Sequence, residues 1–260
     1  MRWIRVNTAI ALNTFREAVR NKIFGSLIFF AVLLIVMSIA FGELSLHNEV
    51  RVARDLTFFT TSIFAMVITV YSSVTLLHTE IEKQTIYTIL SKPIRRWEFL
   101  VGKFTGIQLL LSAILTALFA ISSGVILLQG GEITAALAWG HVTLLLQLSI
   151  ITAIAMLMAS FSSPLLSGMV SVAIFIAGNL MTQLAQVEEL LRSQHNPIWR
   201  VIWAVQYLLP NLESLNLAEV ITYSVPVSAA YLGSAVWYAS AYTAIVMLLA
   251  MIIFSRRDFV

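Results

Sequence analysis

Between Glu132 and Glu188 the chain carries no Asp, Glu, Lys or Arg. A bilayer core needs about 20 consecutive apolar residues per helix, so the charge-free segment 133–187 is long enough for two crossings. "SFSSPLLSG" (160–168) divides it, because Pro164 cannot donate a backbone hydrogen bond and disfavours helix at Ser163. That places spans at 140–160 and 165–186. Four more apolar stretches, 23–42, 57–77, 104–128 and 232–254, raise the expected number to six. Only 11% of the residues are charged and 59% are hydrophobic. A soluble domain carries about 25% charged residues, so this sequence cannot build a water-facing surface. The expectation is an all-α polytopic membrane protein whose 260 residues form a single transmembrane domain. The first span is too long for a cleaved signal peptide, follows a charged region and lacks a small-x-small cleavage site. The absence of cysteine excludes disulfides, thiolate catalysis and Cys-based metal sites.

Orientation follows from where Lys and Arg fall. Arg2, Arg5, Arg16, Arg20 and Lys22 precede the first span, Lys83, Lys92, Arg95, Arg96 and Lys103 follow the second, and Arg256 and Arg257 close the chain. Opposite them stand only Arg51, Arg54, Arg192 and Arg200. This bias puts both termini and the 78–103 connector in the cytosol, consistent with an even number of spans. Trp97, Trp139, Trp199, Trp203 and Trp237 fall near span ends or in connectors, as an interfacial aromatic belt requires.

Residues 1–22 read as an amphipathic elbow helix. At about 100° per residue, Arg2, Arg5, Arg16 and Arg20 share one side, with Trp3, Ile4, Ile10, Ala11, Phe15 and Val19 opposite. That pattern suits a helix in the headgroup plane. An ordinary positive flank that merely orients the first span is the plainer alternative. Thr14 with Glu17 has capping-box spacing, which would break the helix near Asn13.

The connector "HTEIEKQTIYTILSKPIRRWEF" (78–99) is long and densely charged for a link between two spans. Ile81, Thr85 and Ile89 share one helical face, with Ile86 and Leu90 beside it, while Glu80, Glu82 and Lys83 face outward. Lys92-Pro93 ends that helix. An element so placed suits either docking of a soluble partner or anchoring of its own hairpin at the membrane surface.

In the sequence of this connector, "EIEKQTIYTILSKPIRRWEFLVGKFTG" resembles that of ABC-2 type transporter permeases, the membrane subunits of type-2 ABC exporters. Their pattern is Glu-x-Glu-x-Gly-Thr, an apolar helical turn, Ser-x-Pro, a basic pair, Glu, then Gly-Lys. Glu80, Glu82, Thr85, Ser91, Pro93, Arg95, Arg96, Glu98, Gly102 and Lys103 match it, and Gln84 stands where the family has Gly. The pattern is nearest to single-domain bacterial permeases such as those of copper-enzyme maturation clusters. The resemblance implies that residues 80–91 are a cytosolic coupling helix, with Glu80, Glu82, Lys83 and Thr85 docking an ATPase. Arg95, Arg96 and Lys103 would anchor the connector against the headgroups. No G-x-x-x-x-G-K-[ST] occurs, since Trp97 stands where the first Gly of "VGKFTG" would be. The chain is therefore expected to be no enzyme and to hold no cofactor, with ATP and Mg on separate cytosolic ABC ATPase subunits. Half a transporter's spans imply a second permease chain, a homodimer with a heterodimer as the alternative. The implied setting is the bacterial cytoplasmic (inner) membrane, among lipid and with no nucleic-acid partner.

Residues 187–231 are the largest outer segment. Within it "PIWRVIWAVQYLLP" (197–210) is apolar but too short to span, so it should enter the outer leaflet and return at Pro210-Asn211. By the resemblance, Trp199, Trp203 and Tyr207 would form an outer gate; an interfacial anchor is the other reading. Gln108, Gln147, Asn179 and Gln183, the polar residues within spans, read as interhelical glue before substrate contacts. Ala113/Ala117, Ala155/Ala159, Ser167/Ser171 and Ala173/Ala177 have the spacing for close helix approach. The four histidines are scattered without metal-site spacing. No acidic or basic group sits at mid-membrane, where a proton-coupled carrier needs one. Two functions remain: a permease driven by a partner's ATP hydrolysis, or a non-transporting membrane scaffold or assembly factor with the same fold.

Overall fold

The computed structural model describes residues 2–45, 48–82 and 95–256, and all regular structure among them is helical. In chain order the helices are α1 (Arg2–Arg20), α2 (Lys22–Leu44), α3 (Glu49–Glu82), α4 (Arg96–Leu128), α5 (Ala135–Ala159), α6 (Pro164–Gly178), α7 (Met181–Ser193), α8 (Trp199–Leu208), α9 (Ala218–Tyr223) and α10 (Ala229–Arg256). A 3₁₀ turn, Glu213–Leu215, precedes α9.

Five helices, α2 to α5 and α10, are long and apolar enough to cross a membrane. The sixth expected span differs. Its apolar run breaks after Gly178, and α7 leaves α6 at 73°. With 15 residues α6 rises only about 22 Å at 1.5 Å per residue, short of a hydrocarbon core of about 30 Å. Together the bent pair passes the same test of length and hydropathy, either as a sixth span broken at this point or as a re-entrant loop. The bend falls at 179–180, inside the stretch 165–186 expected to cross as one straight helix.

Local signals set the other ends. Asn21 separates α1 from α2 and accepts a hydrogen bond from the Ile23 amide at 3.0 Å, a cap on one of the orphan donors of a helix start. The amide of Arg95 donates to the Glu98 carboxylate at 2.9 Å, the backward half of a capping box. After α4, "QGG" closes the helix: Gly131 donates to the Ile126 carbonyl at 2.9 Å and Gly130 to that of Leu127 at 3.0 Å. Gly130 sits at φ +76°, where a side chain would be strained. Pro164 stands at the start of α6 behind Ser163, whose hydroxyl accepts from the Leu166 amide at 3.4 Å.

α5 is the hub. Ile150, Ile151, Thr152, Ala153, Ala155 and Met156 form a continuous buried stretch, so neighbours cover it all round, as expected of an interior helix. α10, α3, α4 and α6 pack around it. α2 buries one stripe, Phe24, Ala31, Ile35, Ser38 and Gly42, and exposes Phe29, Phe30, Leu33 and Phe41 on the far side. Of the small-residue pairs, Ala155/Ala159 and Ser167/Ser171 are buried, whereas Ala113 and Ala117 face outward.

Candidate coupling site

The two helices that flank the connector are the longest described. α3 has 34 residues, about 51 Å of helix, so it extends well past the hydrocarbon and carries the backbone of Glu80 and Glu82 in its final turn. The expected boundary between span and connector helix at residue 78 is therefore absent: α3 runs unbroken to Glu82. The side chains of Glu80 and Glu82 lie outside the described residues, as do Lys83 and Thr85 entirely.

The return leg is described from Arg95 onward and is tied to two other helices, α1 and α10. Asn7, Ala11, Thr14 and Ala18 line the side of α1 that faces α4, and the last three are buried. The contacts advance along both helices. Trp3 stacks on Trp97 with centroids 6.3 Å apart. Thr105 donates to the Asn7 side-chain oxygen at 3.2 Å. A Cβ on Gly102 would lie 2.7 Å from Ile10, and one on Gly106 2.6 Å from Thr14. α1 is one helix to Arg20, so Thr14 and Glu17 do not cap a second one. The face it packs is small and polar; Trp3 and Val19, read from sequence as apolar backing, are exposed.

Lys103 stands inside this contact. It is 2% exposed, its ammonium 3.6 Å from the Glu17 carboxylate and 5.7 Å from the centroid of Phe99. Sequence reasoning placed Lys103 among headgroups; the structure gives it a protein carboxylate on α1. Burying an ammonium is costly unless it is paired, and Glu17 supplies the pair. Arg96 donates to the carbonyls of Phe254 at 3.4 Å and Ser255 at 3.2 Å, where the C-terminal end of α10 presents partial negative charge. Phe99 stacks on Phe254 with centroids 6.3 Å apart. Arg95 is exposed, outside the helix it precedes.

At the far end of the bundle Gln147 holds the break in place. Its amide donates to the Asn179 side-chain oxygen at 2.8 Å and the Leu212 carbonyl at 3.2 Å. Gln108 accepts from Ser149 at 2.9 Å and donates to Thr152 at 3.2 Å. These residues serve as glue between helices; Gln183 is exposed. Trp199, Trp203 and Tyr207 come together on α8, where the rings of Trp203 and Tyr207 lie 4.7 Å apart. With Glu188, Arg192 and Gln206 they line a groove of about 680 Å³ against α7. A larger apolar groove of about 820 Å³ opens between α3 and α6, lined by Val67, Val70, Tyr71, Val74, Met169 and Val172 among others. His141 is buried between the rings of Phe58 and Phe119, its Nδ1 2.9 Å from the Leu137 carbonyl. Among the described residues no group of three His, Cys, Asp or Glu could hold a metal.

Residues 8–259 match the profile of the family described as ABC-2 family transporter protein. The chain belongs to that family. It is an integral, multi-pass membrane protein and the permease component of an ABC transporter, a component that is not itself an ATPase and whose family associates with ABC ATPase subunits. No curated protein matches it. Sequence reasoning missed Glu17 as the partner of Lys103, because an exposed-looking acid in a basic helix carries no mark of its destination. It also missed the grip of Arg96 on α10, which joins residues far apart in the chain.

Proposed function

We propose that this permease moves substrate across a bacterial cytoplasmic membrane, driven by ATP hydrolysis on separate ATPase chains that grip the connector between α3 and α4. The observation that carries the proposal is the bracing of the connector's exit leg. Lys103 with Glu17, Gly102 and Gly106 with α1, and Arg96 with the end of α10 join α4 to two other helices within its first three turns. A push at 83–94 would reach α1, α4 and α10 together, which a connector serving only as a hairpin link has no need to do. In this reading Glu80, Glu82, Lys83 and Thr85 contact the ATPase, ATP and Mg reside on that partner, and both termini face the cytosol.

Two permease chains would enclose the substrate path, with the exposed face of α2 and the α3–α6 groove toward it. Trp199, Trp203 and Tyr207 would lie at its outer end. Charge reversal at Glu80→Lys together with Glu82→Lys should abolish copurification with the ATPase while membrane insertion persists; undiminished copurification would refute docking there. Transport into vesicles by the purified complex separates a transporter from a scaffold. ATP-dependent accumulation that disappears when the partner's ATP site is disabled is expected, and its absence would favour the scaffold.

A further inference from the structure

We infer that the groove between α7 and α8 binds the phosphodiester headgroup of an anionic phospholipid. It rests on the orientation proposed above only for the leaflet, the outer one.

The turn at 194–198 brings Arg192, in the last turn of α7, and Arg200, in the first turn of α8, to the same indole. Their guanidinium carbons lie 5.5 and 5.7 Å from the centroid of Trp199. Both arginines line the groove, and among the described residues neither makes an ion pair with a carboxylate. Guanidinium forks match the geometry of phosphate oxygens. Gln206 lines the same groove, and its amide nitrogen is shielded from solvent with no acceptor among the described residues, a donor left unsatisfied at a cost that a small side-chain shift toward a ligand oxygen would relieve. Glu188 is the one acid of the lining; Glu189 is not part of it. Two cations and one anion leave a single positive charge, which complements a singly charged phosphodiester better than a zwitterionic headgroup.

The apolar surroundings choose a lipid over a soluble anion. Val187 and Leu190 on α7 and Val201 and Leu208 on α8 are exposed elsewhere on the same hairpin, offering acyl chains a surface a free phosphate could not use. α7 leaves α6 at 73°, so it lies across that helix as an interfacial element does. Trp203 and Tyr207 supply the aromatic contact typical of headgroup depth.

The test uses the full-length chain, extracted in whatever complex it forms, stripped of lipid and titrated with phosphatidylglycerol under native mass spectrometry. Phosphatidylcholine and glycerol phosphate form the comparison arms. Wild type should retain phosphatidylglycerol in preference to phosphatidylcholine. Arg192→Gln with Arg200→Gln should weaken that retention about tenfold or more, the scale of lost charge-assisted hydrogen bonds, and leave phosphatidylcholine unchanged. Gln206→Leu should weaken it severalfold, and serves alone if the double variant does not purify. Equal retention of the two lipids by wild type, or undiminished retention by both variants, overturns the proposal. Displacement of the lipid by glycerol phosphate at equal concentration also overturns it, since the site would then serve a free anion. No transport is read, so failure here leaves the permease reading untouched.

Discussion

The two ends of this permease are held by opposite means. At the α1–α4 end, backbones approach so closely that Gly102 and Gly106 have no room for a methyl group, and a lysine is buried against a carboxylate. At the other end α8 buries no residue and α7 buries only Met181. That hairpin is fixed at its roots instead. The Leu212 amide donates to the Gly178 carbonyl at 3.0 Å, Glu213 caps the Thr182 amide at 2.7 Å, and the Tyr238 hydroxyl accepts from the Asn211 amide at 2.8 Å. Continuous packing makes one end a rigid unit through which force can pass. Point fixation leaves the other free to meet lipid or a second chain along its length.

The largest effect should come from forcing α1 off α4. At Gly106 even a Cβ would stand 2.8 Å from the backbone oxygen of Ala11, which cannot yield as a flexible side chain does. Gly106→Leu should therefore cost about 3 kcal/mol, the upper part of the range for overpacking, seen as earlier thermal unfolding in detergent. Gly168→Ala is the control, because its Cβ would meet Val70 at an ordinary 3.9 Å. Equal melting of the two variants would mean that the α1–α4 contact is no tighter than an open helix surface. Glu17→Gln comes next. It removes the carboxylate from beside an ammonium whose side chain is 3% exposed, but Glu17 itself is 40% exposed. The loss should be about 1–2 kcal/mol, below that of a fully buried pair. Lys103→Met, which withdraws the buried charge as well, should cost less; the reverse order would show that Glu17 is not the principal anchor.

How much of this could be read from the chain depends on whether a feature is local. Runs of apolar residues located the five helices that are each long and apolar enough to cross alone. "SFSSPLLSG" marked the α5–α6 break through Pro164, and 197–210, by its length too short to span, contains the ten-residue helix Trp199–Leu208. The break at Gly178 escaped because its cause is distant. Gly178 is unremarkable in an apolar run until Leu212 packs on it, and Asn179 reads as interhelical glue without showing that its partner Gln147 holds a bend. The same holds for Lys103, whose spacing from Arg95 and Arg96 reads as a basic flank although its carboxylate comes from α1. The inward face of α1 was misjudged for a related reason. Periodicity separates polar from apolar sides, but the closeness of Gly102 and Gly106 selects small residues over large ones.

Gln147→Leu tests the roots of the hairpin. Two donated hydrogen bonds vanish and Asn179 and Leu212 lose a donor, so about 1 kcal/mol is expected, the scale of polar contacts between membrane helices. A further readout is protease access to 194–198 in intact vesicles, which should increase.

The smallest effect sharpens the contrast most. Trp203 is 47% exposed although indole is among the most costly side chains to leave uncovered in a soluble protein. In lipid that cost disappears, so Trp203→Ala should change unfolding of the single chain by no more than about 0.5 kcal/mol, as for a surface position. A loss of 2 kcal/mol or more would mean that the indole is covered in the working protein. Repeating the measurement across a dilution series then assigns the cover. A penalty that fades on dilution belongs to a second permease chain, making the hairpin a buried interface as tightly held as the α1–α4 end. A penalty independent of concentration belongs to contacts within the chain, and the distinction between a packed end and a rooted one fails.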